Sequence, residues 1–198
     1  MKYFKPLFGT LPNFWPRSVH RITVDHPLII ASPRIGFFNL MGPAAHEIVE
    51  EDKATLAPLF LSLEEGDVNP PVCDVLMIYA EVLNDGRLFG TSDSLREIIQ
   101  KSHAPIVIVA SDNAVKNYVA AGKLPGNGKA NLVMTRKRKG AAFTSFFAQL
   151  FQRMSEGMSM PMAWVELAPQ IGGDKAHENC PETIFSAEVS HIIFQKPP

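Results

Sequence analysis

The chain has 198 residues, 46% of them hydrophobic and 20% charged, the composition of a globular protein rather than a disordered or fibrous one. The 19 Lys and Arg residues against 20 Asp and Glu leave a formal net charge of -1, so no overall field draws the protein toward nucleic acid or anionic lipid. Two cysteines, Cys73 and Cys180, are too few for a disulfide framework and read as free thiols of a reducing compartment.

The first 16 residues scatter Lys2, Lys5, Pro6, Pro12 and Pro16 among aromatics and leave no continuous apolar core of a secretory signal, which predicts a cytoplasmic protein. Ile22 to Ala31 suggests one or two strands. Ile35 to His46 carries no formal charge but is interrupted by Gly36, Asn39, Gly42 and Pro43, far short of the ~20 apolar residues that span a membrane. Pro43 to Leu63 reads as a helical stretch broken at Pro58. No repeat and no low-complexity segment is visible, so one domain over residues 1–198 is expected, with 1–65 an N-terminal part of unassigned purpose.

The pattern then becomes explicit. Asp74 to Ala80 (DVLMIYA) is a short apolar run between Pro70-Pro71 and Asn84-Asp85-Gly86, a buried strand. Ser94 and Glu97 have capping-box spacing ahead of the helical stripe Leu95, Ile98 and Ile99. Ile106 to Ala110 (IVIVA) is apolar throughout, as a strand covered on both faces must be. Ser111 or Asp112 can cap a helix carrying Val115, Tyr118 and Val119 inward and ending at Gly122. Asn131 to Thr135 is a third strand. Phe143, Phe146, Phe147, Leu150, Phe151 and Met154 then define the strongest helix, and Met160 to Ala168 a second one. Two helices in succession return the chain to the end it left, so the last strand-like run, Ile184 to Phe194, is expected to lie antiparallel. The fold class predicted is α/β, a three-layer α/β/α arrangement around a mostly parallel sheet with an antiparallel last strand.

In such sheets the ligand crevice lies outside the carboxyl ends of the strands. Those ends are Glu81-Val82, Ser111-Asp112-Asn113 and Thr135-Arg136, with the loop Gly172 to Pro181, carrying His177 and Cys180, opening onto the same face. Cys73 and His103 precede their strands and belong to the opposite edge, roughly 16 to 23 Å away.

Taken together, Asp74 to Val82 (DVLMIYAEV), Gly86-Arg87-Leu88, Ile106 to Asn113 (IVIVASDN), the Phe143 helix with Gly157-Met158-Ser159 and Ala163, and Pro181 to Phe194 resemble the successive landmarks of CHAT domains, caspase-like modules of the cysteine-peptidase clan. The resemblance covers about residues 70–195 and implies a caspase-like sheet. It also implies a catalytic His at the end of the first of these strands and a catalytic Cys at the end of the second. Glu81 and Ser111 stand at those positions. A carboxylate does not relay a proton as imidazole does near neutral pH, and serine is a weak nucleophile without an adjacent base. The expectation is a module that has lost its chemistry and binds a protein or peptide partner.

Two other readings start from the same edge. A hydrolase would use Ser111 or Cys180 as nucleophile, His177 as base and the helix start at Asp112-Asn113 as the source of oxyanion-binding N–H groups. An anion- or nucleotide-binding module would use the helix start at Asp112 and Asn113, with Thr135 and the basic Arg136, Lys137 and Arg138. Each residue also has a plain structural explanation: Ser111, Asp112 and Asn113 are preferred helix caps, Glu81 a solvated loop carboxylate, and the basic run a solvated loop. His177 and Cys180 supply two zinc ligands where a structural site needs four, so no metal is expected, and no cofactor. Gly122 to Lys129 (GKLPGNGK) lacks the spacing and the terminal Ser or Thr of a phosphate loop. Met154, Met158, Met160 and Met162 read as core packing.

Overall fold

The structure, a computed structural model, describes residues 27–111, 130–135, 140–168, 183–187 and 191–195. Two apolar segments open the described chain, β1 (Leu28–Ala31) and β2 (Arg34–Asn39). A single 3-10 turn follows, then α1 (His46–Leu56), a second 3-10 turn that contains Pro58, and β3 (Ser62–Gly66). The helical stretch expected from Pro43 to Leu63 is thus real, broken where Pro58 forbids the helix to continue, but its last residues are strand. β4 (Val75–Tyr79), α2 (Leu95–Ser102), β5 (Ile106–Ala110) and β6 (Asn131–Thr135) fall where the apolar runs and the capping box place them. After α3 (Gly140–Ser155) and α4 (Met160–Leu167) come β7 (Thr183–Ala187) and β8 (Ile192–Gln195). The helix expected after Ser111 lies outside the described residues.

Six strands form one sheet in the order β3-β2-β4-β5-β6-β7; the first five are parallel, and β7 runs antiparallel to β6, pairing Thr183 with Thr135. Alternation along these strands builds two cores, because successive side chains leave opposite faces. Val75, Met77, Tyr79, Ile106, Ile108 and Val133 meet α1, α3 and α4 on one face, where Phe143, Phe147 and Phe151 are fully buried. Leu76, Ile78, Val107, Val109 and Met134 meet Leu95 and Ile98 of α2 on the other. This is the three-layer α/β/α architecture, and it explains why β4 and β5 carry no polar residue before their ends. No described helix is long and apolar enough to cross a membrane.

One expectation is corrected. Ile184 to Phe194 is not a single antiparallel strand: β7 adds to the sheet, while β8 pairs in parallel with β1, Leu28 opposite Ile192. Ile192 and Phe194 are buried in the α1/α3/α4 core, with the Phe194 ring 6.0 Å from both Phe60 and Phe151. The second apolar group of the run is drawn to an aromatic pocket that only the folded chain assembles.

β2 carries weak strand signals, since Gly36 interrupts it, yet it occupies an interior place in the sheet. The glycine is there for proximity. The return from β3 to β4 crosses this face of β2, and a Cβ on Gly36 would stand 2.6 Å from Cys73 Sγ and 2.8 Å from Pro71 Cγ.

Candidate functional site

From β2 the chain passes through α1 to β3 on one side, and then returns to place β4, β5 and β6 on the other. The strand order therefore reverses between β2 and β4, and at such a reversal the loops leaving two neighbouring strands part toward opposite faces and open a crevice. Here the loops concerned are those after Asn39 and after Tyr79.

Both loops are locally determined. The Asn39 side chain accepts from Met41 N at 2.9 Å and donates to the Gly42 carbonyl at 3.1 Å, while Leu40 N donates to the Tyr79 carbonyl at 2.9 Å. The loop after β4 is a hairpin: Val82 bridges Leu88, Leu83 N donates to the Arg87 carbonyl, and Phe89 N donates to the Glu81 carbonyl at 2.8 Å. Val82 and Leu88 turn into the α2-side core, which leaves Glu81 and Phe89 outside. Gly90, at φ +90°, brings this hairpin against the first loop; its Cβ position lies 3.0 Å from the Leu40 carbonyl oxygen. Met41 and Phe89, the chain neighbours of Leu40 and Gly90, flank this contact, and Glu81 lies opposite Phe89 across the hairpin, so the backbone brings the three to one rim. Met41 is 50% and Phe89 62% exposed, and Glu81 is exposed as well.

Ser111 follows β5 and is only 5% exposed. Thr135 ends β6 fully buried, and its hydroxyl donates to the Val109 carbonyl at 2.9 Å, so it is engaged in the sheet. Asp112, Asn113, Arg136, His177 and Cys180 lie outside the described residues. Cys73 and His103 are at the opposite edge, as their sequence positions require: Cys73 N donates to the Ser102 carbonyl just ahead of β4, and His103 closes α2 in the left-handed conformation. Burial pushes the Cys73 thiol up to about 12, with the neighbouring Asp74 carboxylate adding to the effect.

Under the rim, on the α1/α3 face, a polar cluster is sealed into the core. Asp52 of α1 is fully buried, and its carboxylate accepts from the Tyr79 hydroxyl at 2.7 Å and from the Thr144 hydroxyl of α3. The Tyr79 ring stacks on Phe37, with centroids 6.5 Å apart. One side chain thus ties together α1, β4 and α3. Nothing local in the sequence marks it, because Tyr79 and Thr144 stand 27 and 92 positions from Asp52. Met41 and Phe89 are equally invisible there: only the fold shows which apolar residues fail to find a core. Among the described residues no group of three or more His, Cys, Asp or Glu gathers to hold a metal ion.

No protein-family model matches this chain, and no curated protein matches it either.

Proposed function

We propose that the chain is a catalytically degenerate CHAT-like module of the cytoplasm, whose rim at the carboxyl ends of β2 and β4 binds a protein or peptide partner. The observation that carries this reading is the exposure of Met41, Glu81 and Phe89 on the two loops at the reversal of strand order. Large apolar side chains left exposed on these loops favour a partner that removes them from water, at roughly 25 cal/mol per Å² of apolar surface covered. Glu81 and Ser111 stand where the resembled family carries His and Cys, and the near-complete burial of Ser111 supports a structural rather than a nucleophilic part for its hydroxyl.

The test is to incubate the purified protein with a complex mixture of peptides and to look for new termini by mass spectrometry. The expected result is no cleavage. Cleavage that disappears in Ser111→Ala or in Cys180→Ala would overturn the reading and favour a hydrolase.

A further inference from the structure

Glu81 is the rim's charged group. Its carboxylate is exposed, and among the described residues no cation pairs with it. The other charges of the hairpin are engaged: Arg87 Nε meets Asp85 at 2.7 Å, and Lys101 Nζ meets Asp93 at 2.5 Å. Among the described residues the Glu81 charge is thus unpaired on the loops that also expose the Phe89 ring and the Met41 thioether. Both groups suit a cation. The face of a Phe ring attracts a guanidinium or ammonium group, and a Met side chain adapts to the aliphatic stem that carries it. An acidic segment would be repelled by Glu81 at this position.

Building on the partner-binding reading above, we propose that the Met41–Glu81–Phe89 rim selects segments that present an Arg or Lys side chain next to apolar residues. The cation pairs with Glu81 and lies against Phe89, and the apolar neighbours cover Met41 and the rest of the Phe89 ring. The position that the resembled family gives to a catalytic base serves here for recognition of charge.

The experiment uses the full chain and four pools of fluorescein-labelled peptides, each with Arg, Lys, Gln or Glu at the centre between mixed Leu, Phe and Val, titrated by fluorescence anisotropy at low and high salt. The Arg and Lys pools should bind about two- to fivefold tighter than the Gln pool, the range of one exposed ion pair, and the gap should narrow as salt rises. Glu81→Lys should reverse the preference toward the Glu pool. Phe89→Asp, with an unchanged melting temperature, should weaken all four. Pools that bind alike, or a preference that survives Glu81→Lys, overturn the charge selection while leaving the partner-binding reading intact, provided that Phe89→Asp still weakens them. Binding indifferent to both Phe89→Asp and Met41→Asp, or no binding by any pool, overturns both.

Discussion

Single atoms decide two features of this protein. At Gly36 the connection between β3 and β4 presses on the sheet so closely that a methyl group has no room, the nearest neighbours being a buried sulfur and a proline ring. Gly36→Ala should therefore lower stability by roughly 1 to 3 kcal/mol in a denaturant titration, the usual range for overpacking. The sulfur itself is sequestered. Because burial raises the Cys73 thiol to about 12 from an ordinary 9.0, the folded state holds its proton where the unfolded chain loses it. This contribution is complete below pH 9.0 and is lost as pH rises toward about 12, with a slope near 1.4 kcal/mol per pH unit. Alkaline unfolding of Cys73→Ala should lack that slope, and the native Cys73 thiol should resist iodoacetamide at pH 8 until the protein is unfolded. Both residues stand out in the sequence as a glycine and a lone thiol, but their closeness does not, since 37 positions separate them.

Elements here are held at their ends and at one shared anchor. Ser94 and Glu97 form the reciprocal cap that their spacing announces: Glu97 N donates to the Ser94 hydroxyl, and Ser94 N donates to the Glu97 carboxylate at 2.7 Å. These bonds from Ser94 hold the Glu97 carboxyl below its ordinary value of 4.5, so the cap is complete above that pH and weakens as pH falls through the lowered value. Ser94→Ala should cost about 1 kcal/mol by thermal unfolding. The Asp52 anchor belongs to the tertiary structure. Tyr79→Phe should cost about 1 to 3 kcal/mol, because a buried carboxylate loses a donor. Combined with Thr144→Val the loss should not be additive, since both hydroxyls serve one carboxylate, and a double-mutant cycle measures that coupling. Periodicity finds α2, α3, β4, β5 and β6 because each shows an unbroken apolar stripe or run that it buries. It passes over β2 and β3, where a glycine and two glutamates break the pattern and the neighbours supply the pairing.

Across the whole molecule the chain is closed by β1 and β8, which meet in parallel although more than 160 positions apart. Phe194 carries the closure, sharing an aromatic cluster with Phe60 and Phe151. Phe194→Ala should cost about 3 to 5 kcal/mol in stability, with little change in peptide binding at the rim on the opposite loops. The rim variants should behave in the converse way: Phe89→Asp and Met41→Asp change exposed side chains, so the melting temperature should hold while binding falls. Together the two sets of variants separate the strength of the fold from its recognition surface.

The α/β class, the buried parallel strands and the antiparallel return of β7 follow from the sequence alone, because a strand covered on both faces must be apolar throughout and two helices in succession reverse the direction of the chain. The same reading places Glu81 and Ser111 at strand ends on the crevice side. Which pair of strands opens the crevice was decided only by the tertiary structure. β2, weak in local pattern, takes its place through pairing with β3 and β4, and its position creates the reversal at which Met41, Glu81 and Phe89 come together. Local periodicity records what each segment buries; it carries no record of which segments become neighbours, or of which apolar side chains are left outside.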